Sequence, residues 1–287
     1  MSGKVCIVTG ATSGIGKAAA SELAKRGATL VLICRNRQKA TDVVRQIREE
    51  TQRSEIDFLI ADLSVQQQVR AAAADFLCKY KKLNVLINNA GAMFPRRLES
   101  VDGIEMTLAV NHLAPFLLTN LLLDRMKQTG AARIINVNSD AHEQGTIDFD
   151  NLQMQRGYRL GVGMRAYANA KLANLLTVYE FARRLQDVQI TINAVHPGYV
   201  ATNILPFEDA IGFVRLLKPL WGVAKRFIQT PEQGAAAAVY LACSPRVGSQ
   251  SGGYFEGFAA VASCRMSHDR SLQKKMWLVS QKLIQEK

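Results

Sequence analysis

TGATSGIGKAAA, from Thr9 to Ala20, is the stretch that decides the fold. Three glycines, Gly10, Gly14 and Gly16, fall between an apolar β-branched run (5–8) and an alanine-rich amphipathic segment that ends at Gly27. That order reads as strand, tight loop, helix. Glycine allows the turn and lets backbone N–H groups approach an anion at the helix N-terminus. The spacing is T-G-x-x-x-G-I-G rather than G-x-G-x-x-G. Placed after the first strand, it points to a bound nucleotide more than to a bare turn.

Outward from this loop, strands and helices alternate. ATLVLICR (28–35) is a second strand and KATDVVRQIREE (39–50) a charged amphipathic helix. IDFLIADLS (56–64), NVLINNAG (84–91), ARIINVNSD (132–140) and QITINAVHPG (189–198) continue the strands, and GGYFEG (252–257) adds a last one. Helices are expected over 65–80, 111–127 and 166–185, and from Pro231 through PEQGAAAAVYLAC. The pattern predicts an α/β fold, a Rossmann-type doubly wound parallel sheet with helices on both faces. Ligands then gather at the carboxyl ends of the strands.

Length and composition fit one domain. With 287 residues, 48% of them hydrophobic, the chain can bury a sizeable core. The expected division is a nucleotide-binding domain over 1–262, with a substrate lid at 203–229, and a helical extension over 263–287. No secretory signal is expected, because the chain as read runs from Lys4 straight into the first strand. No window comes near the ~20 apolar residues that span a bilayer. The oily run 113–123 is interrupted by Pro115, Thr119 and Asn120 and reads as a buried helix. Five scattered cysteines without C-x-x-C, and no N-x-S/T sequon, fit a reducing, cytoplasmic setting. Four widely separated histidines imply no metal. The net charge of +12 is spread along the chain, which favours solvated faces over a nucleic-acid site.

The second strand selects among nucleotides. An acid near its end would bind a ribose 2′-hydroxyl. Here it ends Ile33-Cys34-Arg35-Asn36-Arg37, with no acid. Arg35 can hold a 2′-phosphate through charge-assisted bonds, so NADP(H) is expected rather than NAD. A second pair stands in AYANAK (166–171), where Tyr167 and Lys171 share a helix face at i and i+4. A surface pair is the plain reading. The chemical one is a phenol whose pKa an adjacent ammonium lowers.

Taken in order, TGATSGIG (9–16), ADLS (61–64), NNAG (88–91), Asn111, Ser139, YANAK (167–171) and HPGYVAT (196–202) resemble the short-chain dehydrogenase/reductase family. VNHLAPFLLTNLLL (110–123), YANAKLANLL (167–176) and the long interval from Ser139 to Tyr167 resemble its retinol dehydrogenase-like branch. The resemblance implies a cofactor loop of Gly10, Ser13, Gly14, Ile15 and Gly16, with Arg35 at the 2′-phosphate. It puts Asp62 and Leu63 by the adenine, and Asn89, Ala90 and Gly91 along the adenosine ribose. Pro197, Gly198, Val200 and Thr202 would approach the nicotinamide. Tyr167 would protonate the nascent alkoxide, and Ser139 would hydrogen-bond the carbonyl oxygen. Lys171 would reach the nicotinamide ribose, and Asn111 would hold a water linking Lys171 to solvent. The implied activity is NADP-dependent hydride transfer on a lipophilic alcohol or carbonyl, such as a retinoid or a steroid.

One position departs from the pattern. The family usually ends its fifth strand in two serines; here it ends Asn138-Ser139-Asp140, which keeps the second serine and adds an acid. The segment 203–229 is rich in Phe, Leu and Ile with interleaved Lys and Arg. It reads as a lid over an apolar substrate, with peripheral membrane contact and packing against a homo-oligomer partner left open. A nucleotide-binding regulatory protein without turnover is the alternative function. Loss of Ser139, Tyr167 or Lys171 would favour it, and all three are present.

Overall fold

The computed structural model describes residues 1–157, 163–200 and 229–285. Thr202 and the expected lid, except Gln229, lie outside the described residues. Strands β1 (Val5–Thr9), β2 (Thr29–Cys34), β3 (Ile56–Ile60), β4 (Val85–Asn88), β5 (Ala132–Val137), β6 (Ile190–His196), β7 (Tyr254–Glu256) and β8 (Ala259–Val261) form one sheet in the order β3-β2-β1-β4-β5-β6-β7-β8. The first seven are parallel. β8 runs antiparallel to β7 at the edge, an addition to the all-parallel sheet expected from sequence. It is three residues long and exposed, too short to leave a periodic signal.

Helices α1 (Gly14–Lys25), α2 (Arg37–Thr51), α3 (Gln66–Lys79), α4 (Met106–Thr129), α5 (Gly163–Arg184), α6 (Pro231–Cys243) and α7 (Arg270–Gln285) cover the sheet. Alternate strand residues turn to opposite faces. Ile7, Val31, Ile33 and Leu86 meet a cluster with α3, α4, α5 and α7. Val8, Leu30, Leu32 and Ile87 meet another with α2 and α6. Because both faces are covered, the strands read as continuous apolar runs. Each fully buried aliphatic side chain stabilises the fold by about 1.5–3 kcal/mol.

Met106–Thr129 corrects one expectation. By length and composition it could cross a bilayer, yet 67% of its apolar window is buried within the fold. Phe116 contacts Trp277 of α7 at 5.0 Å and Phe181 of α5 at 5.5 Å, so the helix belongs to the core. Its residues Ala109–Leu113 form a π-helical turn, a local widening that often marks a functional site. The C-terminal segment forms α7 and docks on α4 and α5. Trp277 also packs against Phe181 at 4.5 Å, and Ser280 bonds His112 at 2.7 Å.

Candidate active site

Chain order reverses between β1 and β4, so a crevice opens at the carboxyl edge of the sheet between them. The glycine loop fills its floor. Gly10 and Gly14 have φ of +67° and +54°. A Cβ on Gly16 would lie 2.4 Å from Asn89 Nδ2 and 2.5 Å from the Gly10 carbonyl, so only glycine fits. Helix α1 then starts without a capping side chain at Ser13 and without an acid in its first turn. Its leading amides and positive dipole end face the crevice, which suits a pyrophosphate.

Thr9, which sequence reasoning passed over, ties the two strand ends together. Its hydroxyl accepts from the Asn89 and Ala90 amides at 3.0 Å each. Asn89 Nδ2 donates to the Thr9 carbonyl at 2.8 Å. Asn89, Ala90 and the glycine loop therefore form one wall. At the far end Arg35 is 77% exposed and stands 4.0 Å from Asp62 Oδ2. Asp62 closes its own turn by accepting from the Ser64 amide and hydroxyl, at 2.9 and 2.7 Å. Leu63 packs partly on the core.

Lys171 is 4% exposed and Tyr167 8%. Lys171 Nζ donates to the Val137 carbonyl at 2.9 Å and lies 5.4 Å from the centroid of the Tyr167 ring. A Cβ on Gly91 would come within 2.8 Å of Asn111 Oδ1 and 3.6 Å of Lys171 Nζ, which brings the β4 loop to the same point. Asn111 spends both amide hydrogens on the Ala92 and Thr107 carbonyls, at 2.7 and 2.9 Å. Its amide is thus not free to donate to the expected water. Its own carbonyl accepts from Asn174 at 3.2 Å.

A buried chain of asparagines extends from there. Asn174 Oδ1 accepts from Asn136 and Asn138 at 3.3 Å each, and Asn136 Oδ1 accepts from Asn88 at 2.9 Å. Asn138 also donates to the Lys171 carbonyl at 3.1 Å. This network locks α4, β4, β5 and α5 in register around Lys171. Single asparagines inside strands and helices gave no sequence signal for it, because their partners are 33 to 63 residues away.

Burial reverses one expectation. In the cofactor-free chain desolvation pushes the Tyr167 phenol up to about 12; its hydrogen bond to Ser139 opposes this in part, and the Asp140 charge adds to it. Desolvation pushes Lys171 down to about 8. Both groups are driven toward neutrality, and the ammonium does not lower the phenol as the pairing alone predicted.

Ser139 caps the short 3₁₀ helix Asp140–Gln144, accepting from the Ala141 amide at 3.2 Å, and its hydroxyl donates to Asp140 Oδ1 at 3.0 Å. His142, just beyond, donates from Nδ1 to the Ser139 carbonyl at 2.7 Å and accepts at Nε2 from the Cys264 amide at 3.2 Å. After β6, Gly198 has φ +78°. Val200 pairs with Gln229 in an isolated parallel bridge. Gly234 of α6 leaves room for Val200, Ile15 and the Pro197 carbonyl, which a Cβ would meet at 2.4, 3.2 and 3.4 Å. Gly234 is thus a site-shaping residue that sequence reasoning missed, and Gln229, expected as the end of the lid, pairs with Val200. Among the described residues no cluster of His, Cys, Asp and Glu could hold a metal ion.

The family model described as short chain dehydrogenase matches residues 4–209. Retinol dehydrogenase 11 of Homo sapiens is 38% identical over 98% of this chain and 86% of its own length. Retinol dehydrogenase 13 of Homo sapiens is 38% identical over 98% of this chain and 85% of its own. The solved structure of an uncharacterized protein from Mycobacterium Paratuberculosis aligns with a TM-score of 0.79 and 29% identity, over 99% of this chain and 94% of that one. L-Sorbose reductase from Gluconobacter frateurii, complexed with NADPH and L-sorbose, shares the fold with a TM-score of 0.71 at 23% identity, over 89% and 95%. An uncapped helix behind a glycine loop, a buried Tyr–Lys pair beside a serine, and likeness to retinol dehydrogenases over 98% of the chain lead to one conclusion: the chain belongs to the short-chain dehydrogenase/reductase family of NAD(P)-dependent oxidoreductases.

Proposed function

We propose that the chain is an NADP-dependent oxidoreductase that interconverts lipophilic alcohols and carbonyls of the retinol/retinal kind. The observation that carries this reading is the convergence of Ser139, Tyr167 and Lys171 beside the wall that continues from the uncapped start of α1. The dinucleotide fits that cradle: the α1 amides take its pyrophosphate, and Arg35 takes the 2′-phosphate. Bound there, the nicotinamide supplies or accepts the hydride. By their place in the motifs, Pro197, Gly198, Val200 and Thr202 would hold its nicotinamide end, Asp62 and Leu63 its adenine, and Asn89, Ala90 and Gly91 its adenosine ribose.

In the reductive direction the Tyr167 hydroxyl delivers a proton to the substrate oxygen, and the Ser139 hydroxyl turns to donate to that same oxygen. A phenol held at about 12 stays protonated at neutral pH and is ready to give its proton. Lys171, held at about 8, exchanges protons near neutrality and resets the phenol. Asn111 acts by fixing the β4 loop against Lys171. The 203–229 segment is assigned as a lid over an apolar substrate, within a single catalytic domain (1–262) followed by the helical extension 263–287. Likeness to retinol dehydrogenases supports the lipophilic substrate class. A panel of alcohols and carbonyls followed by NADPH absorbance, repeated with NADH, tests the reading. Turnover of retinal or retinol with NADP(H) is the expected result. No turnover of any member with either cofactor would overturn it.

A further inference from the structure

Asp140 follows Ser139, and the structure gives it more partners than a surface acid needs. Oδ1 accepts from the Ser139 hydroxyl at 3.0 Å, and Oδ2 accepts from the Tyr199 hydroxyl. Its amide donates to His196 Nδ1 at 3.4 Å, and burial lowers the pKa of that imidazole. Tyr199 is 70% exposed, stands on the loop after β6, and turns its ring edge to His196 at 5.8 Å. The carboxylate is therefore held from two sides, by the end of β5 and by the loop after β6. Burial opposes its ionisation, but the hydrogen bonds from Tyr199 and Ser139 outweigh burial and hold it below the usual carboxylate range. Among the described residues no lysine or arginine forms an ion pair with Asp140. Glu143 and Glu256 are the other charges acting on Tyr199, and both are negative.

A chain of net charge +12 thus places a fixed negative charge at the atom that should meet the substrate oxygen. Ser139 has one hydroxyl hydrogen. A neutral carbonyl can take it, because Asp140 keeps the Tyr199 bond. An uncharged alcohol oxygen can take it as well. A substrate carboxylate at the same place would compete with Asp140 for one hydrogen and face a like charge across a single hydroxyl. Resting on the reading of Ser139 and Tyr167 as the reaction centre, we propose that Asp140 is a specificity-determining residue. It admits uncharged alcohols and carbonyls and rejects the carboxylate of the same skeleton.

The test measures binding of retinol and of retinoic acid to the full chain loaded with NADPH, where neither ligand can react. The unaltered protein should bind retinol about tenfold more tightly than retinoic acid, the scale of one partly screened like-charge contact. Asp140→Asn keeps an acceptor for Ser139 and removes the charge. It should close the gap, chiefly by tightening retinoic acid. Tyr199→Phe removes the second hydrogen bond but leaves the charge, so the gap should persist. Equal affinities in the unaltered protein, a gap untouched in Asp140→Asn, or no binding of either ligand would overturn the proposal. Retinal reduction scored in parallel separates the two levels. Activity without a gap overturns charge selection alone, while absent activity overturns the reading beneath it.

Discussion

The two halves of the crevice are built in opposite ways. The half at the ends of β1, β2 and β4 is made largely of backbone, glycines and the uncapped amides of α1, with the exposed Arg35 at its far end. The half at the ends of β5 and β6 is made of buried side chains held by one another: Lys171, Tyr167, Asn111, Asn138 and Asn174. The first half needs close approach and positive dipole, which glycine and a helix terminus supply at little cost in burial. The second needs protonation states that burial sets, and burying ionisable groups works against stability. On the proposed function, cofactor binding and proton transfer thus rest on different physical terms.

The sharpest way to break this division is Gly16→Ala. The new Cβ would overlap Asn89 Nδ2 and the Gly10 carbonyl. Cofactor affinity should fall by about a hundredfold or more, and stability should drop by about 1–3 kcal/mol, the usual range for overpacking. Titration with NADPH and a denaturant melt read the two effects. Unchanged NADPH affinity would show that the glycine loop only closes a turn.

A smaller effect is expected at Arg35. Its 77% exposure means solvent screens the charge, so Arg35→Asp should shift the NADPH-to-NADH affinity ratio by about tenfold toward NADH rather than by a thousandfold. Equal affinities for the two cofactors before substitution would remove Arg35 from its assigned role.

The smallest effect tests the cost of the chemical half. Lys171 has a folded pKa of about 8, depressed from 10.5. Below the folded value the lysine must be charged in a site that disfavours charge, so its stability penalty is full there, and it fades as pH rises toward 10.5. Lys171→Met should therefore raise the Tm of the cofactor-free protein relative to the parent by more at pH 7 than at pH 10, by a few degrees. A Tm difference that does not vary with pH would mean the lysine is not held against its preference.

The same contrast explains what could be read from sequence. The glycine loop, the alternation of strands and helices, and the Ser139, Tyr167 and Lys171 positions were legible because each rests on local spacing or on motif order. The asparagine network was not, since its members lie far apart and each is an ordinary polar residue alone. Nor was the direction of the Tyr167 shift. Spacing places an ammonium one turn from the phenol, but only the fold shows that both are buried deeply enough for desolvation to dominate. The π turn at Ala109–Leu113 and the short edge strand β8 also escaped, being too brief to alter a periodic pattern.

The central claim is that Tyr167 serves the proton and not the cofactor cradle. Tyr167→Phe keeps the ring and its packing and removes the hydroxyl. NADPH affinity and retinal turnover measured on that one variant test the claim most directly. The account predicts an NADPH dissociation constant within about twofold of the parent, because the hydroxyl adds at most a modest hydrogen bond. It predicts turnover lower by roughly two or more orders of magnitude, the scale of general acid–base catalysis. A folded Tyr167→Phe protein that keeps most of its retinal turnover would contradict it.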